Sequence, residues 1–173
     1  LVKAFEEIKR IFDPRDLLNP GKIVQPSRMD DRRLFRYSPD YQQSNLPTGL
    51  DWSKWGSFER AIEMCNNNGH CRKSEIGVMC PSYRATHDEQ HLTRGRANTL
   101  RLALSGQLGK DALVSDKMKK TMDLCIGCKG CRRECPTGVD MSRLKLEFLT
   151  HYNSHHGHSL RDKLISHLPR YAP

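Results

Sequence analysis

The chain has 173 residues, of which 36% are hydrophobic, with a formal charge of +9 and seven cysteines. It is too lean for one large core, and no apolar run approaches the roughly 20 residues that cross a membrane. An odd set of cysteines, most of them in one tight run, is a poor disulfide framework; it points to metal ligation in a reducing, cytoplasmic compartment, at most peripheral to the inner face of a membrane. The positive charge is interleaved with acids and the aromatic fraction is only 7%, so a concentrated nucleic-acid footprint is excluded and no nucleic-acid partner is expected.

In chain order, Val2, Phe5, Ile8 and Phe12 recur at helical spacing until Asp13-Pro14 breaks the pattern. RDLLNPGKIV predicts a short helical turn ended by Asn19-Pro20-Gly21, followed by a brief extended run. Residues 26–56 show neither period and are rich in Pro, Ser, Asp and Gln, which predicts a long extended linker pinned at its end by Trp52 and Trp55. A helix with Ser57 as N-cap carries Phe58, Ala61, Ile62 and Cys65 on one face. TRGRANTLRLALSG predicts a helix over 93–105 closed by Gly106, with Leu100, Ala103 and Leu104 inward. Residues 115–124, capped by Ser115 or Asp116, predict another that delivers its C-terminus to Cys125. A helix over 141–151, capped by Asp140 or Ser142, holds Leu144, Leu146, Phe148 and Leu149. SLRDKLISHL predicts a short amphipathic helix before Pro169. Almost nothing reads as a strand, so the fold class is mainly α. The start inside a helical pattern and the stop at RYAP read as a piece of a longer polypeptide.

The run CIGCKGCRRECP places Cys125, Cys128, Cys131 and Cys135 at the spacing C-x2-C-x2-C-x3-C, closed by Pro136. This is the bacterial iron–sulfur signature, whose fourth cysteine serves a second cluster. Three thiolates two residues apart wrap one cube, with Gly127 and Gly130 letting the backbone approach, while the fourth leaves toward a neighbour. Zinc more often uses two separated knuckles, so the single run favours iron–sulfur. The earlier group CNNNGHCRKSEIGVMCP holds Cys65, Cys71 and Cys80, and Asn68 stands where a middle cysteine would be. Crossed ligation gives one [4Fe-4S] cluster Cys80, Cys125, Cys128 and Cys131, and leaves the other Cys65, Cys71 and Cys135 with an unknown fourth ligand.

That open corner has three readings: a [3Fe-4S] centre; an iron held by water, Asn68, His70 or a residue of another domain; or a site left empty when the chain is isolated. Asn68 suits donation to the cluster sulfides better than ligation of iron. Lys129, Arg132 and Arg133 within the run, Lys119 and Lys120 before it, and Arg72 and Lys73 after Cys71 are either a solvated face or cations that raise cluster potentials. His87, His91, His151, His155, His156 and His158 are irregularly spaced and read as exposed side chains.

Two stretches carry a family resemblance. RIFDPRDLLNPGKIV resembles the last segment of the catalytic domain of FAD-linked oxidases of the vanillyl-alcohol oxidase type, a group that includes glycolate oxidase, D-lactate dehydrogenase and D-2-hydroxyglutarate dehydrogenase. CRKSEIGVMCPSYRATHDEQHLTRGRANTLRLALSG, followed by LCIGCKGCRRECPTGVDM, is similar to the α-helical ferredoxin domain fused behind that flavin domain. The resemblance implies a two-cluster α-helical ferredoxin-like domain over 57–155. Before it come the end of the FAD-linked domain over 1–25 and the linker over 26–56; after it, 156–173 form a helix leading to a downstream cysteine-rich domain. It implies oxidation of a D-2-hydroxy acid by FAD, held only by the full-length protein, with electrons leaving through the clusters to an acceptor. Asn19 would then lie near the isoalloxazine, unless the Asn-Pro-Gly turn is only a helix stop. The segment itself lacks a substrate site and has no catalytic residue of its own. Two other readings stay open: a zinc-stapled basic interaction module, and a ferredoxin-like subunit of a heterodisulfide-reductase-type complex.

Overall fold

A computed structural model describes residues 1–35, 37, 40–42, 44 and 46–172. Five positions of the expected linker, 36, 38, 39, 43 and 45, and position 173 of the expected C-terminal segment lie outside the described residues. The chain divides into two units, Leu1–Tyr41 and Gln42–Pro173. Among the described residues the regular structure is helical, with no strand, as the sequence predicts.

In the first unit, α1 (Val2–Phe12) forms where the helical period places it. Val2, Phe5, Ile8, Ile11 and Phe12 are all exposed. The helical turn expected from RDLL does not form. Instead the Asp13 carboxylate accepts hydrogen bonds from the Leu17 amide at 2.9 Å and the Leu18 amide at 2.8 Å, and an ion pair from Lys9 at 2.5 Å. A short acceptor side chain that captures nearby amides competes with the helical ladder, and here it wins. The following turn places Asn19 and Gly21 at φ of 50° and 68°, left-handed values that these residue types tolerate.

The second unit is a helical assembly. Its helices are α2 (Phe58–Glu63), α3 (Pro81–Thr86), α4 (Thr93–Leu104), α5 (Asp116–Asp123), α6 (Gly130–Glu134), α7 (Met141–His156), α8 (Leu160–Ser166) and α9 (Leu168–Tyr171). Ser57, Ser115 and Asp140 cap α2, α5 and α7 by accepting the amides of Arg60, Met118 and Arg143, the residues the sequence nominates. Phe58 and Ile62 of α2, Leu100 of α4, Met118 and Met122 of α5, and Leu144 and Phe148 of α7 meet in one core. Gly95 in the first turn of α4 is required by contact: a Cβ there would fall 1.9 Å from the Glu89 carbonyl oxygen.

Three departures from the sequence reading have physical causes. On α7 the expected core residue Leu146 is 57% exposed while Glu147 is 0% exposed. The helix turns this carboxylate inward because it accepts from the Gly49 and Leu50 amides at 2.8 and 3.0 Å and from Trp52 Nε1 at 2.8 Å. The 49–52 end of the expected linker is thereby fastened to the helical unit, and Trp52 packs with tilted rings against Trp55 and Phe58. Secondly, α3 and α6 are helices that periodicity did not reveal, since each is a turn or so long. Pro81 opens α3 at the position where a missing amide costs nothing. Thirdly, Pro169 lies in the first turn of α9 rather than ending the helical region.

Candidate metal centre

Cys80 immediately precedes α3, Cys125 follows the end of α5, Cys128 lies in the next loop, and Cys131 sits on α6. Cys80 and these three cysteines of the later run line one pocket together with Thr93, Arg96 and Met141. Cys80 and Cys131 are buried, Cys125 is half-buried and Cys128 is exposed. The Met141 amide, at the start of α7, donates to Cys131 Sγ at 3.3 Å. Burial pushes the Cys131 thiol up to about 11 against the pull of that amide, so it is a neutral thiol until a group that demands thiolate binds.

Cys135 leaves α6 and does not line this pocket; its Sγ lies 3.3 Å from Thr137 Oγ1. Cys65 follows α2, and Cys71 lies in the single turn His70–Arg72. Both are buried and stand close enough that the charge of Cys65 adds to the rise of the Cys71 thiol. Burial is the main cause of that rise, opposed by the Arg94 backbone amide at the start of α4. Asn68 spends its side chain within the loop: its Oδ1 accepts from the His70 amide at 2.8 Å and its Nδ2 donates to Asn66 Oδ1 at 2.5 Å. Asn67 ties the same loop to α4 by accepting from Asn98 Nδ2 at 2.7 Å.

Glu134, just before Cys135, accepts from the Val78 and Met79 amides at 2.8 and 3.1 Å. It thereby clamps the second cysteine run to the loop that delivers Cys80. Those two amides hold its carboxyl below the usual range. Gly130 serves the same junction, because a Cβ there would meet Val78 at 2.9 Å; its role is packing on the Cys80 loop. Gly127, at φ 68°, lines the pocket itself.

Of the cations the sequence singles out, Lys129 is exposed and lines the pocket, whereas Arg132 and Arg133 are exposed and do not line it. Arg96 is fully buried, donating from Nε to the Thr121 carbonyl at 2.9 Å with Nη1 3.8 Å from Cys80 Sγ. Lys145 is half-buried, donating to the carbonyls of Cys125 at 2.7 Å and Asp123 at 3.2 Å. Spacing held a signal for Arg96, since it lies four and seven residues before Leu100 and Ala103 on the inward stripe of α4. Only an assembled core distinguishes that stripe's arginine from a solvated one.

The donor set fits an iron–sulfur cluster. A tetrahedral zinc about 2.3 Å from each sulfur would need thiols about 3.8 Å apart. Among the described residues no three His, Cys, Asp or Glu side chains converge on a single ion. The histidines that the sequence reads as exposed join no such group either.

A family model described as the 4Fe-4S dicluster domain matches residues 61–139. The chain is 30% identical to a D-2-hydroxyglutarate dehydrogenase of Pseudomonas putida, over 97% of this chain and 20% of that protein. It is 27% identical to a protein of the same name from Escherichia coli, over 100% of this chain and 20% of that protein. A probable glycolate oxidase iron-sulfur subunit of Bacillus subtilis is 28% identical over 58% of this chain and 21% of its own length. The chain thus spans about a fifth of the length of these relatives. No solved structure matches it, and no helix among the described residues is long and apolar enough to cross a membrane.

Proposed function

We propose, on the premise that this chain carries a 4Fe-4S dicluster domain, that it is the electron-relay segment of an FAD-dependent D-2-hydroxy acid dehydrogenase. The observation that carries the reading is the gathering of Cys80 with Cys125, Cys128 and Cys131 around one pocket. Bound there, an iron–sulfur cluster supplies one-electron carriage between a flavin and an acceptor.

The chain's own residues do the holding. Cys80 and Cys131 fix the buried side of the first cluster, and exposed Cys128 puts one ligand at the surface where an electron-transfer partner can approach. Cys65, Cys71 and Cys135 hold the second, with its fourth position filled by a ligand other than cysteine or left as the open corner of a [3Fe-4S] centre. Asn19, in its exposed left-handed turn, is the residue of residues 1–25 assigned to the flavin. The flavin domain and a cysteine-rich domain would be supplied by the same polypeptide, in the cytoplasm. A second reading rests on the Bacillus relative, whose name is that of a separate iron-sulfur subunit: the same helical unit would then serve a flavin subunit in trans.

Anaerobic reconstitution tests the reading. Broad visible absorbance bleached by dithionite, with iron and acid-labile sulfide in near-equal amounts, is the expected result. A colourless chain holding stoichiometric zinc after the same treatment contradicts it and favours the zinc-stapled module. Bleaching by a D-2-hydroxy acid, in a single polypeptide that also holds FAD, separates the fused enzyme from the subunit reading.

A further inference from the structure

A guanidinium with no exposed surface and no acid beside it is costly. Arg96 is 0% exposed, its Nη2 has no hydrogen-bond partner, and no carboxylate among the described residues pairs with it. Of the buried acids of this unit, Asp140 faces Arg132 at 3.7 Å, Glu147 holds residues 49–52, and Glu59 of α2 makes no ion pair with Arg96. Leaving a cation buried and uncompensated is strongly destabilising. What Arg96 does face is the cysteine pocket, which it lines with Nη1 3.8 Å from Cys80 Sγ. Neutral thiols do not compensate a guanidinium. Four thiolates closed around a cluster do, because that assembly is an anion and becomes more negative on reduction.

We infer that Arg96 is the buried counter-ion of the group held by Cys80, Cys125, Cys128 and Cys131, placing its unpartnered Nη2 in that pocket and raising the reduction potential. The inference rests on the electron-relay reading and adds the residue that tunes it. Position explains why this residue rather than its neighbours has that effect. Lys129 also lines the pocket, but it, Arg132 and Arg133 are exposed, and the high dielectric of water weakens the field of an exposed charge. Arg96 acts from inside the core, where the effective dielectric is low. Its orientation is set independently of the cluster by the bond from Nε to the Thr121 carbonyl, so the charge is preorganised.

The test compares Arg96→Met, Arg96→Lys and the exposed control Arg132→Gln in the anaerobically reconstituted chain, reading iron content and midpoint potential by an EPR-monitored redox titration. Arg96→Met is expected to lower the potential, Arg96→Lys to restore part of the loss, and Arg132→Gln to leave it near the wild-type value. A folded Arg96→Met that holds no four-iron signal, rescued by Arg96→Lys, is the same result in a stronger form. Wild-type potentials in both Arg96 variants overturn the inference, as does an Arg132→Gln shift equal to that of Arg96→Met. Failure of both Arg96 variants to fold also overturns it, since the residue is then a packing element. A wild-type chain that takes up no iron is a failure of the electron-relay reading itself and takes this inference with it.

Discussion

Asp13 shows how one side chain can redirect a backbone. By accepting the Leu17 and Leu18 amides and pairing with Lys9, its carboxyl is held at about 2, with Lys9 the main cause. A carboxyl whose folded value is depressed stabilises above its ordinary value, near 4, and loses that contribution as pH falls toward about 2. Amide exchange followed by NMR should therefore find Leu17 and Leu18 still protected at pH 3, and unprotected in Asp13→Ala at every pH. Loss of protection in the wild type between pH 5 and 4 would contradict this account of the turn. Gly95 is the sharper constraint. With the Glu89 carbonyl oxygen 1.9 Å from the position of a Cβ, Gly95→Ala forces α4 off the preceding turn and should cost about 3 kcal/mol in urea unfolding; an unchanged midpoint would place the contact wrongly.

At the scale of elements, α4 was readable from its period and length, α7 from period and the Asp140 cap, and the shorter α2 and α5 from the Ser57 and Ser115 caps before an apolar face. The short helices α3 and α6 offer too few residues for a period to show, and they exist because the cysteine loops they follow are held by tertiary contacts such as Glu134 to Val78 and Met79. Helix α7 was legible at its start, though it runs on to His156 rather than ending at 151, and its phase was not legible at one position: nothing local to Glu147 announces that three donors from residues 49–52 await it. Glu147→Ala should leave those donors unsatisfied and cost about 3 kcal/mol or more, while Trp52 emission moves to longer wavelength as that segment comes away. Glu147→Gln keeps one acceptor and should lose less. Equal stability of wild type and Glu147→Ala would show that the segment is fastened by Trp52 packing and the Arg143 guanidinium 5.0 Å over its ring rather than by the carboxylate.

For the whole molecule, the cysteine spacing nominates two sets of thiols, and of these Cys80 lines one pocket with Cys125, Cys128 and Cys131. Lys129, which lines that pocket, was legible in the run, but the burial of Arg96 was not, because a lysine or arginine is buried or solvated according to contacts between α4, α5 and α7 that no short window contains. The central claim is crossed ligation, and it is tested most directly in a Cys65→Ser/Cys71→Ser background, where only the first cluster can form. After anaerobic reconstitution, EPR of the reduced protein should show a [4Fe-4S] signal that survives Cys135→Ser and disappears in Cys80→Ser. A signal that survives Cys80→Ser and is lost in Cys135→Ser would mean that the run CIGCKGCRRECP closes on its own fourth cysteine, and would contradict the account.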